Sequence, residues 1–190
     1  MVSQSLPIDD TGRPARIAGA RASRLEYRLD VLGADAADVV RSAGGWMFDR
    51  AMAGWRVNAW LLDAADLRPL QVLGVQGHQL EPGAVVIDEE TVVGLAVSAD
   101  LVASAGDVRD GVRTALTAGR TEVVLWGGRW PDQLGGRAEP VRYRLSAAAR
   151  TFKRYALAAA HCSDIAVGAT ESLVCGGHRP VDSDLVSTRG

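Results

Sequence analysis

A strand–helix–strand unit between residues 25 and 62 most strongly constrains the fold. Apolar and polar side chains alternate in RLEYRLDVL, which is typical of a strand that begins near Leu25. Asp35 follows as a suitable N-cap for a helix that we expect to run to about Ala53 and to end at Gly54. The next segment, RVNAWLL, is apolar on both faces, so it predicts a central strand covered by helices on both sides.

The alternation of strands and helices continues along the chain. Because only DAADLR separates RVNAWLL from PLQVLGV, we expect PLQVLGV to be a strand antiparallel to its predecessor. AVVID and TEVVLW each predict a further strand. ETVVGLAVSADLVASA fits a helix or a strand, and its length and small residues favour a helix. A clearer helix is predicted over residues 107–118, with Asp107 as its cap and Gly119 as its end.

A last helix is predicted over SAAARTFKRYALAAAH, residues 146–161, followed by a further strand in the apolar segment between Cys162 and Cys175. The helix's core stripe is expected to consist of Leu145, Ala148, Phe152, Tyr155 and Ala159. The basic residues Arg150, Lys153 and Arg154 are expected to lie away from that stripe. Basic side chains are usually solvated, so this helix is expected to pack one face on the sheet and to turn its charges outward.

The pattern as a whole predicts an α/β fold: a mixed, mostly parallel sheet flanked by helices, with flexible N- and C-terminal tails. Residues 1–22 lack periodicity and are interpreted as a flexible arm. Residues 23–175 are expected to form a single α/β domain, and residues 176–190, which are polar and interrupted by Gly and Pro, a flexible tail.

The basic residues are used very unequally, because Lys153 is the only lysine among 21 Lys and Arg residues. This bias indicates a GC-rich coding sequence of the kind found in actinobacteria. The Arg residues are interleaved with acidic ones and the formal net charge is −2, so we do not expect a nucleic-acid partner. No segment resembles a signal peptide or a membrane span, and two Cys do not form a disulfide framework. A cytoplasmic protein is therefore expected.

The turn after the first strand, GADAAD at residues 33–38, argues against dinucleotide binding. A Rossmann domain has G-x-G-x-x-G at this position, so that a pyrophosphate can bind at the helix N-terminus. Here Asp35 and Asp38 replace the second and third glycines, and their carboxylates would repel an anion. No G-x-x-x-x-G-K-[ST] occurs, which argues equally against a P-loop NTPase.

The acidic residues after the first two predicted strands allow another interpretation. Asp35 follows the first strand, while Asp63 and Asp66 follow the second. If these strands are parallel, the carboxylates lie at the sheet edge where α/β proteins bind ligands, and they could hold Mg²⁺. The favoured alternative is that Asp35 and Asp38 begin a helix, whereas Asp63 and Asp66 stabilise turns.

Two further groups of metal-ligating residue types occur near the end of the chain. Cys175 and His178 have a workable spacing for zinc, but His161 and Cys162 are adjacent, and adjacent residues seldom both reach one ion. A Cys162–Cys175 disulfide is a second possibility. Two unpaired thiols are favoured, because free Cys is commonly a small buried hydrophobic residue. His78, alone in a loop, is expected to have no special role.

The segment WGGRWPDQLGGR, residues 126–137, is the strongest candidate for a binding loop. It follows a strand and carries Arg129, Trp130, Asp132 and Arg137 among four glycines. An aromatic ring beside two guanidinium groups could close over a planar or anionic ligand. The alternative is a mobile surface loop whose tryptophan folds back onto the body of the protein.

Residues 44–60 contain three of the five tryptophans. On a helix Trp46 and Arg50 are four positions apart, so a cation–π stack is available to them. We expect Trp55 to pack at the corner between helix and strand and Trp60 to fill the layer between sheet and helices. Trp46 is expected to be the exposed one and, together with Arg50, to form part of an interface.

Two functional hypotheses follow. Since no nucleophile motif such as G-x-S-x-G occurs, the favoured one is a non-enzymatic cytoplasmic domain that senses a ligand or binds a protein through Trp46, Arg50 and the 126–137 loop. The alternative is a small metal- or nucleotide-dependent enzyme with an acidic site at the strand ends, around Asp35 and Asp63. The sequence identifies no cofactor, and a membrane partner is not expected.

Overall fold

The computed structural model describes residues 27–81, 83, 92–181 and 183–188. Its central element is one mixed sheet of eight strands. Its strands are β1 (Arg28–Asp35), β2 (Arg56–Asp63), β3 (Gln76–Gln79), β4 (Val92–Ser98), β5 (Glu122–Trp126), β6 (Ala138–Arg144), β7 (Thr170–Gly177) and β8 (Val186–Ser187). They lie in the order β3-β2-β1-β4-β5-β7-β6-β8. The five strands from β3 to β5 are parallel, whereas β7, β6 and β8 pair antiparallel.

Helices cover the sheet on both faces. Helices α1 (Ala36–Met52), α2 (Arg68–Val72) and α5 (Ala147–Ala159) pack together on one face, and α3 (Ala99–Ser104) and α4 (Gly106–Ala118) pack on the other. Each face has its own cluster of buried apolar side chains. The predicted α/β fold with a mostly parallel sheet flanked by helices is therefore confirmed.

The β1–α1–β2 unit forms as predicted. Asp35 is the N-cap of α1, and its carboxylate accepts a 2.8 Å hydrogen bond from the Asp38 amide. The helix stops before Gly54, whose φ of +88° lies in the left-handed region that favours glycine. β1 and β2 are parallel neighbours in register, with Asp35 opposite Asp63 at their carboxyl ends.

The prediction of an antiparallel strand after β2 is wrong. Residues 68–72 form α2, with Pro69 in its first turn, and β3 then pairs parallel to β2. Proline is well suited to the first turn of a helix because its missing N–H has no partner there in any case. The residues assigned to the strand supply the crossover helix themselves, and this is why the connection looked too short for a parallel pair.

The preference for a helix in the segment after residue 90 is wrong for its first half. Val92–Ser98 is β4, a strand between β1 and β5, and only the second half forms α3. A strand covered on both faces is apolar throughout, so its periodicity does not distinguish it from a buried helix. The predicted strand AVVID and the predicted arm at residues 1–22 lie outside the described residues, and the single domain of residues 23–175 stays a prediction.

The antiparallel part of the sheet includes residues to which no strand was assigned. β6 begins at Ala138, directly after the predicted 126–137 loop, and pairs with both β7 and β8. In the predicted tail, residues 176–190, β7 extends to Gly177 and the side chain of Leu185 is buried. The Ser183 hydroxyl also donates a hydrogen bond to Glu122 at the start of β5. The part of this segment around Ser183 and Leu185 thus packs against the sheet.

Helix α5 forms after its N-cap Ser146, but the predicted core stripe is wrong. Phe152 and Tyr155 are 39% and 61% exposed. The helix buries a different face, formed by Ala149, Lys153, Ala156 and Leu157. Lysine was assigned to the solvated side because charged side chains are seldom buried without a partner.

Lys153 has such a partner in Glu171 of β7, at 2.5 Å between Nζ and Oε1. The same ammonium donates to the Arg41 carbonyl at 2.7 Å, and the carboxylate accepts from the Gly45 and Trp46 amides at 2.8 and 2.9 Å. Burial raises the pKa of Glu171, while Lys153 and the two amides oppose that rise. This buried charge network joins α5 and β7 to the middle of α1.

Candidate functional site

The carboxyl ends of β1 and β2 form an acidic pocket of about 240 Å³. The parallel register places Asp35 beside Asp63, as the acidic interpretation of the sequence required. The loop after β2 adds Asp66, and the end of α5 adds His161. The remaining lining residues are small or apolar: Ala36, Ala37, Ala65, Pro69 and Ala160. Polar groups therefore converge on a small concave space.

The carboxylates of the acidic pocket are oriented by nearby main-chain amides. Asp35 accepts from the Asp38 amide, and Asp63 accepts from the Ala65 amide at 2.9 Å. These contacts are the capping and turn roles that the sequence analysis favoured. A carboxylate has about four lone-pair sites, so one amide bond leaves Asp35 and Asp63 capacity to accept hydrogen bonds from a ligand.

Asp66 is held by Arg68 through both its side chain and its amide. The Arg68 guanidinium donates at 2.9 and 2.6 Å, and the Arg68 amide at 3.0 Å. These hydrogen bonds lower the pKa of Asp66 to about 2, with a smaller contribution from the charge of His161. Asp66 is therefore ionised at neutral pH and is close enough to His161 to interact with it electrostatically.

His161 reaches the pocket from the turn that follows α5. Its φ of +57° is the one positive value at a non-glycine residue within the described ranges. This left-handed conformation usually carries glycine at a helix end, and a side chain there costs about 1 kcal/mol. His161 was considered as a zinc ligand with Cys162, Cys175 and His178, and its place in the pocket was not predicted. Only the tertiary packing of α5 against α2 brings it to the ends of β1 and β2.

The neighbouring crevice, between the ends of β1 and β4, is closed by an indole ring. From β1 the chain adds β2 and β3 on one side and β4 and β5 on the other, so the direction of strand addition reverses at this point. Open α/β sheets commonly bind ligands at such a reversal. The Trp126 Nε1 donates to both carboxylate oxygens of Asp38, at 3.2 and 3.3 Å, and the ring is buried. Gly33 permits the close approach of α1 to the end of β1, since a Cβ there would lie 2.3 Å from a Val39 methyl. The open pocket is thus on the β2 side of β1.

The metal candidates from the sequence are not assembled into one ligand set. Within the described ranges, no three His, Cys, Asp or Glu side chains are grouped so that they could hold a metal ion. Asp35 and Asp63 form a neighbouring pair, while Cys175 lies in β7 and His178 is exposed beyond its end. Cys162 and Cys175 are both free thiols, and burial raises the pKa of Cys175 to about 11.

The prediction that Trp46 is exposed is wrong, because its side chain is 1% exposed. The expected cation–π stack is present, with Arg50 5.6 Å from the Trp46 ring and only 4.1 Å from Trp55. Arg50 is mostly buried as well, and it binds Asp184 at 2.6 Å. Arg50, which stacks on Trp46, therefore binds the segment around Asp184 to α1. Both side chains are too buried to contact a partner.

The other two tryptophans of the 44–60 segment are partly buried at opposite faces of the sheet. Trp55 packs at the corner between α1 and β2, as predicted, and stacks on Tyr27 at 5.1 Å. Trp60 belongs to the apolar cluster on the α3–α4 face. It stacks on His78 of β3 at 4.5 Å, so this histidine has a packing contact that the sequence did not indicate.

The 126–137 loop has two parts, which lie at opposite ends of β5. Trp126 lies at the carboxyl end, whereas Trp130 and Arg137 lie beside α4 and the end of β7. There they line a second pocket, of about 380 Å³, which shares no lining residue with the acidic pocket. Arg129 and Asp132 are exposed and line neither pocket.

The acidic pocket lies at the carboxyl-end edge of the parallel strands, the edge at which open α/β sheets bind ligands, next to the closed crevice between β1 and β4. No protein-family model and no curated protein sequence matches the chain. The fold does match solved structures. One is the deacetylase of teicoplanin biosynthesis in complex with teicoplanin, which has a TM-score of 0.55 and 15% identity over 82% of this chain and 100% of the other.

Two further structures share the fold at similar distance. The A40926 pseudoaglycone deacetylase has a TM-score of 0.51 and 14% identity over 80% of this chain and 97% of the other. GalB, the 4-carboxy-2-hydroxymuconate hydratase from Pseudomonas putida KT2440, has a TM-score of 0.54 and 12% identity over 83% and 98%. At such identities the likeness concerns the fold.

These matches overturn the prediction of a non-enzymatic ligand-sensing or protein-interaction domain. Solved structures that share the fold over most of the chain include enzymes, namely deacetylases and a hydratase. Burial of Trp46 also removes one of the two surfaces on which that prediction depended, the other being the 126–137 loop. No helix among the described residues is long and apolar enough to cross a membrane.

Proposed function

We propose that the protein is an enzyme that acts on a small hydroxyl- or amine-bearing substrate in the acidic pocket. The observation that carries this proposal is the convergence of Asp35, Asp63, Asp66 and His161 on one space of about 240 Å³ at the carboxyl ends of parallel strands. Three carboxylates favour ligands that donate hydrogen bonds or carry positive charge. They disfavour phosphates and nucleotides, which were part of the sequence-based enzyme hypothesis.

The reaction we propose is hydrolytic deacylation. His161 is the proton carrier, because an imidazole can accept and return a proton near neutral pH. It removes a proton from water, the water oxygen attacks the acyl carbon, and the bond to the leaving nitrogen or oxygen breaks as the proton is returned to it. Asp66 stabilises the imidazolium, and Asp35 and Asp63 hold the substrate's donors. The shared fold of enzymes named deacetylases supports this choice.

The test is acetate release from a panel of N-acetylated amino sugars, N-acetyl amino acids and acetyl esters. We expect the wild-type protein to turn over at least one member and His161→Ala to lower kcat by about 100-fold or more. The matched control is His78→Ala, which removes an imidazole outside the acidic pocket and is expected to retain full activity. Absence of turnover across the panel, or equal rates for wild type and His161→Ala, would contradict the proposal.

A second measurement tests the binding role of the carboxylates. Asp35→Asn keeps a side-chain oxygen that can cap α1 but removes the negative charge. We expect a higher KM for an amine- or hydroxyl-bearing substrate with a smaller change in kcat, since ground-state and transition-state binding are lost together. Asp63→Asn is expected to behave in the same way, and a loss confined to kcat would contradict the assignment.

A further inference from the structure

The second pocket, beside α4, has a lining quite unlike that of the acidic pocket. We propose that it is a binding site for a small organic anion, a carboxylate or phosphate attached to a planar apolar group. Its volume of about 380 Å³ lies in the range of small-molecule sites, about 300–1,000 Å³. This site is independent of the proposed function, since the two pockets share no lining residue.

Positive charge is in excess at this pocket. Arg113, on α4, and Arg137, which directly precedes β6, both line the pocket. Arg113 pairs with Asp110, one turn earlier on the same helix. Arg137 makes no ion pair or hydrogen bond with another residue in the described part of the chain. Two guanidinium groups therefore face one carboxylate, and a guanidinium fork binds carboxylates and phosphates in bidentate fashion.

The planar wall of the pocket is the ring of Trp130, and it is fixed in place. A Cβ at Gly176 would lie 2.3 Å from the ring, so the indole packs directly on the β7 main chain. The Trp130 Nε1 donates to the Gly135 carbonyl at 2.9 Å, which sets the ring's rotation. A surface that is already rigid loses little entropy when a ligand binds. The ring thus offers a preorganised apolar wall for stacking.

The glycine segment of the rim, directly before Arg137, lets a ligand approach the main chain. Gly135 and Gly136 are consecutive glycines with φ of +61° and +71°. At both positions a Cβ would meet nothing within 4 Å, so the rim is open. Side chains are disfavoured at such φ values, which keeps this segment free of them. The combination of guanidinium groups, a fixed indole and a bare main chain fits a flat anion better than a bulky one.

Binding is measured by calorimetry on the purified full chain with three probes: phenyl phosphate, benzoate and inorganic phosphate. We expect the two aromatic anions to bind with dissociation constants of about 1 mM or lower and inorganic phosphate to bind about tenfold more weakly. Arg137→Gln is expected to weaken the aromatic anions by about tenfold or more, because it removes a charge-assisted bidentate contact. Trp130→Leu is expected to abolish the preference for aromatic over inorganic anions.

Arg129→Gln is the matched control, since it removes the same charge from the same loop outside the pocket, and it is expected to bind the probes as wild type does. Equal affinity of wild type and Arg137→Gln would overturn the proposal, as would the failure of all three probes to bind. Equal affinity for phenyl phosphate and inorganic phosphate would overturn the inference that the site recognises a planar apolar group. Thermal melts of each variant establish that it is folded, and Arg113→Gln provides a second substitution of the same kind. Since no turnover is measured, these results are separable from a failure of the proposed enzyme activity.

Discussion

The acidic pocket and the buried charge network place carboxylates in opposite environments. In the pocket, Asp35 and Asp63 lie exposed at strand ends, each oriented by an amide and each with capacity to bind more. In the network, the Glu171 carboxylate accepts three hydrogen bonds, two from amides of α1 and one from Lys153. A charge in the pocket is therefore available for chemistry, whereas a charge in the network holds helices onto the sheet. Substitutions should separate the two regions.

The largest effect is expected from Lys153→Ala. It leaves the Glu171 carboxylate buried without a cation, and breaking a buried pair in this way costs about 3–5 kcal/mol. Urea denaturation measures the free energy of unfolding. Arg150→Ala is the control on the same helix, and because Arg150 is exposed it is expected to change stability by less than about 0.5 kcal/mol. A loss below about 1 kcal/mol for Lys153→Ala would mean that the network contributes little.

The next effect tests how closely α1 approaches the residues before α5. A Cβ at Gly45 would lie 2.1 Å from a methyl of the buried Leu145, so Gly45→Ala is expected to destabilise the fold by about 1–3 kcal/mol through overpacking. Gly44→Ala is the matched control, since its Cβ would meet its nearest neighbour at 3.3 Å. Equal unfolding free energies for the two variants would show that Leu145 moves aside.

His161→Gly is expected to act in the opposite direction on stability and on activity. Glycine relieves the cost of the left-handed conformation, so the unfolding free energy should rise by about 1 kcal/mol and Tm by about 2–4 °C. The same change removes the imidazole and should abolish turnover. His161→Ala removes the imidazole without relieving the strain, so it is expected to lose activity and gain no stability. A destabilised His161→Gly would indicate that the side chain itself supports the fold.

The smallest effect concerns the pH dependence of Glu122, at the opposite end of the sheet from the acidic pocket. Burial raises the pKa of Glu122 above its ordinary value of 4.5, while Ser183 and Arg50 oppose that rise. A raised pKa means that the folded state prefers the protonated acid, so this contribution to stability is complete below about 4.5 and is lost as pH rises through the folded pKa. Glu122→Gln is therefore expected to be more stable than wild type at pH 7, by less than about 1 kcal/mol. Denaturation near pH 4 should remove the difference, and an advantage that persisted there would contradict it.

Local signals in the sequence predicted the β1–α1–β2 unit, because an N-cap, an apolar stripe and a terminating glycine all act within a few residues. Local signals failed at β4 and α2. The apolar residues of β4 show no periodicity that would distinguish a strand from a helix, and α2 is a short helix with a proline in its first turn. The parallel register that joins Asp35 to Asp63 follows from topology, and the sequence offered it only as a condition of the acidic interpretation, which the structure meets. His161 could not be assigned to the pocket, because its position depends on how α5 packs. A hint was present in its location as the last residue of the predicted helix, since left-handed residues occur at helix ends.

Because the only lysine of the chain is buried in the folded state, its accessibility reports how often the folded structure opens. A protease specific for lysine has one peptide bond to cut, after Lys153, and that bond lies in the middle of α5. Cleavage therefore requires the helix to unwind and its ammonium to leave Glu171, which links the rate of digestion to the population of opened molecules. Two fragments appearing over time would report on conformational opening without any label.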